Sequence, residues 1–204
     1  MARYRGPRIK ICRALGVTLP GLTNKEIKRQ YPPGVHGINR RSKPSDYKIR
    51  LQEKQKIRFH FGLSENQLKR AMTEAARRKG ATGSNLVNLL ESRLDNVIWR
   101  LGFAPTIPAA RQMVVHGHIK INGKRVDRPS YIVKPGMNIS IREKSCETDW
   151  IRERLEEATH RVTPEYLEND LGKASGKMIA APTSNDLPFD CDLQQVVEYY
   201  SQML

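Results

Sequence analysis

The sequence predicts an α+β protein. It is mainly helical, with one compact unit of two helices plus a small antiparallel sheet and an extended basic segment at the N-terminus. Three observations predict it. Apolar residues recur at helical spacing between Ser64 and Gly117. The period then drops to two between Ile119 and Ile141, around an Asn122-Gly123 pair. Residues 1–44 carry no sustained period and are punctuated by proline and glycine.

Residues 1–44 hold too little apolar surface to fold alone, so this segment is expected to be extended or disordered until bound. Within it, Tyr31-Pro32-Pro33-Gly34-Val35-His36-Gly37 reads as a stiff turn, followed by the basic run Arg40-Arg41-Ser42-Lys43. Residues 45–61 fit two periods. Ser45 and Asp46 mark a helix start, whereas Tyr47, Ile49, Leu51, Ile57, Phe59 and Phe61 alternate with polar residues as in a strand. The helix is the preferred reading, ended by Gly62. Its cations spread around the circumference, which is unusual unless something anionic wraps it. Ser64-x-x-Gln67 is a capping box opening a helix with Leu68, Ala71, Met72, Ala75 and Ala76 on one face, closed by Lys79 and Gly80. A second helix runs from near Ser84 to Gly102. Leu86, Leu90, Leu94, Val97, Ile98 and Leu101 face inward, and Arg93, Asn96 and Arg100 lie on the opposite face. A third follows Thr106 with Pro108 in its first turn, carries Ile107, Ala110 and Val114 inward and ends at Gly117. Ile119 and Ile121, the Asn122-Gly123 turn and Lys124-Arg125-Val126 form a hairpin. Tyr131-Ile132-Val133 and Met137, Ile139 and Ile141 add strand. Residues 148–158 form an acidic helix, and Asp192 caps a last amphipathic helix carrying Leu193, Val196, Val197, Tyr200 and Leu204.

Charge narrows the function. The 204 residues carry 36 Lys and Arg against 21 Asp and Glu, a net charge of +15. Residues 1–80 are net +16, residues 81–145 net +6 and residues 146–204 net −7. One end is built to face a polyanion and the other end something else. No apolar run approaches the roughly 20 residues of a membrane span. Arg3, Arg5, Arg8, Lys10 and Arg13 break up any secretory signal. Cys12, Cys146 and Cys191 are too few and too far apart for a disulfide scaffold. The expectation is a soluble intracellular protein.

Among possible chemistries, a metal site lacks ligands: Cys12 has no paired cysteine, and His116 and His118 have no third partner nearby. His116 reads more simply as a helix C-terminal residue favoured by the dipole. Arg93-Leu94-Asp95 resembles the tripeptide around the catalytic Asp of pseudouridine synthases. It sits inside a periodic helix, so Asp95 is expected to pair with a neighbouring arginine. RNA binding fits better. The hairpin Lys120-Ile121-Asn122-Gly123-Lys124-Arg125 sets cations at a tight turn, and Arg93 and Arg111 are expected on solvent faces of the preceding helices. Such contacts hold phosphates and suit recognition of RNA shape.

Several stretches then carry a resemblance. Ser92-Arg93-Leu94-Asp95-Asn96-Val97, Arg100-Leu101-Gly102-Phe103, Ala109-Ala110-Arg111-Gln112, His116-Gly117-His118-Ile119 and Ile121 through Asp127 resemble the RNA-binding module of the small-subunit ribosomal protein four family. Arg3 through Pro7, Pro32 through Gly37, Leu51 through Lys56, Thr82-Gly83 and Val197 through Ser201 match the same family, in order along nearly the whole chain. The resemblance implies a helical domain interrupted by an inserted module. The boundaries are 1–44 for the N-terminal segment, 45–91 for the first part of the helical domain, 92–157 for the RNA-binding module and 158–204 for the part that completes the helical domain.

It further implies a structural, non-enzymatic constituent of the small ribosomal subunit that binds the 16S-type ribosomal RNA early, nucleates assembly of the subunit body, neighbours small-subunit protein five and influences translational accuracy. The setting is the cytoplasmic ribosome, or an organellar one. No membrane, small-molecule substrate, cofactor or metal is implied. Some members hold zinc with four N-terminal cysteines, but here Cys12 stands alone and Ile9 occupies the place of a preceding ligand. Charge pattern and resemblance together assign RNA contact to Arg3, Arg5, Arg8, Lys10, Arg13, His36, Arg40, Arg41 and Lys43 in the N-terminal segment. Lys48, Arg50, Lys54, Lys56 and Arg58 are assigned in the helix that follows, and Arg93, Arg111, His116, His118, Lys120, Asn122, Lys124 and Arg125 in the module. The competing readings are an RNA-modifying enzyme of the pseudouridine synthase kind, or a free regulatory RNA binder carrying the same module.

Overall fold

The computed structural model describes residues 4, 6–38, 43–158 and 162–201. The chain forms two compact units, residues 1–87 with 187–204 and residues 88–186.

The first unit begins with a correction. The N-terminal segment, expected to be extended, carries a helix, α1 (Arg8–Leu15), which buries Ile11 and Cys12. Leu19 and Leu22 are buried just beyond it. Arg8 donates to the Leu22 carbonyl at 3.2 Å, and Arg13 donates to the Tyr31 carbonyl at 3.0 Å while covering the Tyr31 ring. Four buried apolar side chains and two arginines held by carbonyls fix this piece without a long periodic stretch. The helix preferred for 45–61 is present as α2 (Asp46–His60), with the Ser45 side chain accepting from the Lys48 N–H. Its buried positions Lys54, Ile57 and His60 follow helical spacing, so the strand-like alternation does not decide its structure. In α3 (Glu65–Arg77) the capping box is complete: Ser64 Oγ accepts from the Gln67 N–H, and Gln67 Oε1 from the Ser64 N–H. Leu68, Met72 and Ala75 are buried, whereas Ala76 is exposed, so the apolar face is narrower than expected. Helix α4 (Thr82–Glu91) follows, and the unit boundary falls after Val87.

In the second unit the helix expected to run unbroken to Gly102 is interrupted. Arg93 is extended, with φ −69° and ψ 140°, and a separate helix α5 (Leu94–Arg100) begins after it. The backbone here hooks onto residues 129–133. The Leu94 N–H donates to the Tyr131 carbonyl at 2.8 Å, the Asp95 N–H to the Pro129 carbonyl at 3.1 Å, and the Val133 N–H to the Ser92 carbonyl at 2.8 Å. Leucine spacing continues through the break, which is why the sequence reads as one helix. Helix α6 (Ile107–Val115) is capped by Thr106, holds Pro108 in its first turn and buries Ile107, Ala110, Met113 and Val114.

The hairpin forms as expected, from β1 (Ile119–Ile121) and β2 (Lys124–Arg125), with φ of 47° at Asn122 and 80° at Gly123. Strand β3 (Asn138–Ile141) pairs Ile119 with Ile141 and Ile121 with Ile139, and all four are buried. Tyr131–Val133 adds no strand to this sheet; it contributes an isolated bridge between Arg93 and Ile132. Two short helices follow, α7 (Glu143–Cys146) and the acidic α8 (Asp149–Ala158). Strands β4 (Leu167–Asp170) and β5 (Ser175–Met178) then extend the sheet to the order β2-β1-β3-β5-β4, antiparallel throughout. The helical unit therefore does not resume at residue 158. It resumes at Leu187, because β5 pairs with the edge of β3 and binds 162–186 to this unit.

The first unit is completed by α9 (Leu193–Ser201). Asp192 Oδ1 accepts from the Gln194 and Gln195 N–H groups at its start. Helix α9 packs along α2 and buries Val196, Tyr199 and Tyr200, each fully buried apolar side chain contributing about 1.5–3 kcal/mol. Among the described residues no helix is long and apolar enough to cross a membrane.

Candidate nucleic-acid interface

The expected RNA-contacting cations fall into three physical situations. The first is on α2, where basic side chains were expected to surround the helix and reach outward. Most reach acids of their own unit. Lys54 is 3% exposed, donates to Glu65 Oε2 at 2.8 Å and lies over the Tyr199 ring. Lys56 pairs with Glu53 at 2.6 Å, Arg50 with Glu198 at 3.1 Å and Arg58 with Glu65 at 3.8 Å. Burial pushes the Glu65 carboxyl up, but hydrogen bonds from Lys54 and Tyr200 outweigh it and hold the group below its ordinary value. Lys48 has no ion pair among the described residues. Glu198, near the end of α9, is the acid that meets Arg50.

The second situation is interior. Arg93 and Arg111, expected on solvent faces, both grip Asp95, which is 1% exposed. Arg93 donates Nε and Nη2 to the two carboxylate oxygens at 3.1 and 3.0 Å, and Arg111 donates Nε and Nη2 to Oδ2 at 3.2 and 2.7 Å. These are charge-assisted forks, and a buried carboxylate without them would be costly. Asp95 pairs with arginine as expected, and both of its oxygens are occupied. Asn96 and Arg100, expected on the same solvent face, turn to the buried Glu91. Asn96 donates Nδ2 to Oε2 at 2.7 Å, and Arg100 donates Nε and Nη2 at 3.0 and 2.9 Å. Tyr166 adds its hydroxyl to the same carboxylate at 2.8 Å.

The third situation is the hairpin, where cations stand outward. Lys124 and Arg125 are exposed on β2. Lys120 has a partner in Glu143 at 3.4 Å, but Glu143 is 93% exposed, so the pair is weak. Asn122 uses its Oδ1 to accept from the Asn138 N–H at 2.9 Å, which ties the turn to β3. Gly117 has φ +75°, and a Cβ there would collide with the Arg125 guanidinium, so the absent side chain is what lets Arg125 lie against this turn. His116 is exposed, and its ring centroid lies 6.1 Å from that of His118. The His118 Nδ1 is 2.8 Å from Ser145 Oγ, and the His118 carbonyl accepts from the Arg142 N–H at 2.7 Å. Burial, followed by the charges of His116, Arg142 and Arg125, holds the His118 imidazole below its ordinary pKa. Positive charge is therefore concentrated at this end of the sheet.

Arg142 is the residue that the sequence reading missed. Its signal was the Ile139-x-Ile141-Arg142 alternation, which sets a half-buried cation just past the end of β3. Another basic stretch, Lys69, Arg70 and Arg77, lines an open depression along α3 with Asn66, Thr73 and Glu74. In the N-terminal segment Arg8, Lys10, His36 and Lys43 are exposed, Arg13 is held by the turn at Tyr31, and Arg3, Arg5, Arg40 and Arg41 lie outside the described residues. Among the described residues no group of three or more His, Cys, Asp or Glu side chains is placed to hold a metal ion.

Comparison with known proteins places this geometry. Residues 3–91 match the family described as ribosomal protein S4/S9 N-terminal domain, and residues 92–139 match the S4 domain. The chain is 49% identical over 202 residues to small ribosomal subunit protein uS4 of Brevibacillus brevis, covering 99% of this chain and 100% of the relative. It is 50% identical to the protein of that name from Parasynechococcus marenigrum over 99% of both chains. With the Methylobacillus flagellatus protein it shares 49% identity over the full length of both.

Proposed function

The chain belongs to the family of small ribosomal subunit protein uS4, and from that premise we propose how its surface serves the ribosome. It is a structural, non-enzymatic constituent of the small subunit that binds ribosomal RNA. In our reading the RNA meets the hairpin end of the second unit, through Lys120, Lys124, Arg125, His116 and Arg142, the exposed cations Arg8, Lys10, His36 and Lys43, and the half-buried Lys48. The observation that carries this reading is the contrast in pairing. Lys124 and Arg125 are exposed and outside every ion pair among the described residues, whereas the α2 cations other than Lys48 are matched by acids of their own unit. The pseudouridine synthase alternative loses its residue, because Asp95 is buried and gripped by two arginines.

The finer reading follows the family. This protein binds the 16S-type RNA early, nucleates the subunit body and lies beside small-subunit protein five, and through that neighbourhood it influences accuracy in the cytoplasmic ribosome. The test is salt titration of the full chain on a small-subunit ribosomal RNA fragment. Engagement of about 6–10 phosphates lowers affinity by roughly three to five orders of magnitude between 50 and 200 mM salt. Affinity that stays flat with salt refutes the electrostatic reading.

A further inference from the structure

The chain has two tryptophans, Trp99 and Trp150. Trp99 is buried at 2% exposure, whereas Trp150, near the start of α8, is 42% exposed. A large indole left open on a basic RNA-binding protein needs an account. Its surroundings supply one. The Trp150 ring stands perpendicular to the His118 ring, with centroids 6.0 Å apart and an interplanar angle of 83°. His118 is itself fixed by Ser145 Oγ at 2.8 Å and by the Arg142 N–H on its carbonyl. Arg125 lies against Gly117 one residue away, and the His116 ring follows at 6.1 Å. The three rings are thus linked in the order Trp150, His118, His116, and Arg125 and Arg142 both act on the middle one.

We propose that Trp150 is a stacking platform for an unpaired nucleotide of the bound RNA, with Arg125 and Arg142 meeting the adjoining phosphates. The proposal rests on the ribosomal RNA reading above and names one contact within it. Indole suits a base because stacking on an aromatic face is sequence-tolerant and needs no hydrogen-bond code. Edge-on packing against His118 holds the indole in place while the exposed part of its surface remains available. Asp149 directly precedes the tryptophan, Glu147 lies three residues before it, and both are exposed. They repel phosphate, so the backbone of the nucleotide lies towards the arginines and only the uncharged base sits on the ring. An acidic protein segment fits this site poorly, because those same acids would oppose it.

The test uses the full chain at fixed salt, the small-subunit ribosomal RNA fragment as probe and a duplex RNA of equal length as control. Subtracting the fluorescence of Trp150→Phe from that of the unaltered protein isolates the Trp150 signal. The fragment is expected to quench it and the duplex to leave it unchanged. Trp150→Ala is expected to weaken fragment binding roughly 5- to 150-fold, the range set by about 1–3 kcal/mol per stacked base. Trp150→Phe is expected to stay within about threefold of the unaltered protein, at the same melting temperature. Absence of quenching, or unaltered binding by Trp150→Ala, overturns the proposal, as does quenching by a neighbouring ribosomal protein in place of RNA. If Trp150→Ala lowers the melting temperature, the quenching and the Phe variant decide. Arg125→Glu separates the two levels. Lost affinity there with none lost in Trp150→Ala rejects the stacking alone, and full affinity in both rejects RNA binding by this face.

Discussion

Helix α2 and the β1–β2 hairpin are both rich in basic residues, yet their charges do different work. On α2, Arg50, Lys54, Lys56 and Arg58 are matched by Glu198, Glu65 and Glu53, and Lys54 is buried outright. On the hairpin, Lys124 and Arg125 stand in solvent, and Lys120 has only a highly exposed surface acid opposite it. The lesson is that basic charge is left available to a polyanion only where the fold withholds acids from it. Arg93 and Arg111 extend the contrast, since each is as basic as Arg125 and each is committed to the buried Asp95.

The sharpest way to break this comparison is to reverse a committed charge. Arg111→Glu sets a second carboxylate beside Asp95, and Asp95→Ala leaves two arginines uncompensated. Each is expected to destabilise the chain by about 3–5 kcal/mol in urea unfolding. A loss below about 1 kcal/mol would return Arg111 to the solvent-facing role that its sequence position suggested. The next largest effect falls on binding. Lys124→Glu or Arg125→Glu is expected to weaken RNA binding at least tenfold and to lower the salt slope by about one, with stability within about 0.5 kcal/mol. The smallest expected effects sharpen the other side. Lys54→Met exchanges a buried ammonium for a buried thioether and leaves Glu65 with Arg58 and Tyr200. It is expected to change stability by about 1 kcal/mol or less and RNA affinity by less than threefold, read by thermal melting and filter binding. An RNA affinity that collapses in Lys54→Met would show that α2 charge reaches the RNA after all.

Much of this was legible beforehand, and the failures share one cause. Ser64-x-x-Gln67, Thr106 with Pro108, Asn122-Gly123 and Asp192 each act through neighbours within four residues, so local chemistry revealed them. The break at Arg93 was hidden because it is made by hydrogen bonds to residues 129–133, far along the chain, while the leucine spacing runs on undisturbed. Assigning Arg93, Asn96 and Arg100 to a solvent face depended on that unbroken helix and failed with it. Strand β5 was invisible for the same reason. Ser175-Gly176-Lys177-Met178 has little strand character of its own and becomes a strand by pairing with Asn138–Ser140. Helix α1 was missed because its stability rests on Leu19 and Leu22 beyond its end.

A chain made from its N-terminus releases α2 long before α9 exists, yet α9 is the helix that covers it. Residues 88–186 are contiguous, so that unit has all of its strands once Met178 has emerged. Its two ends are drawn together from within, where Asn88 Nδ2 donates to the Pro182 carbonyl at 3.0 Å. A folded insert with its ends near one another replaces a floppy connection of about a hundred residues by a short one, which removes most of the chain-closure entropy from the last step. Translation order thus leaves the helical unit as a vessel sealed at the end, its lid being the nine residues Leu193–Ser201.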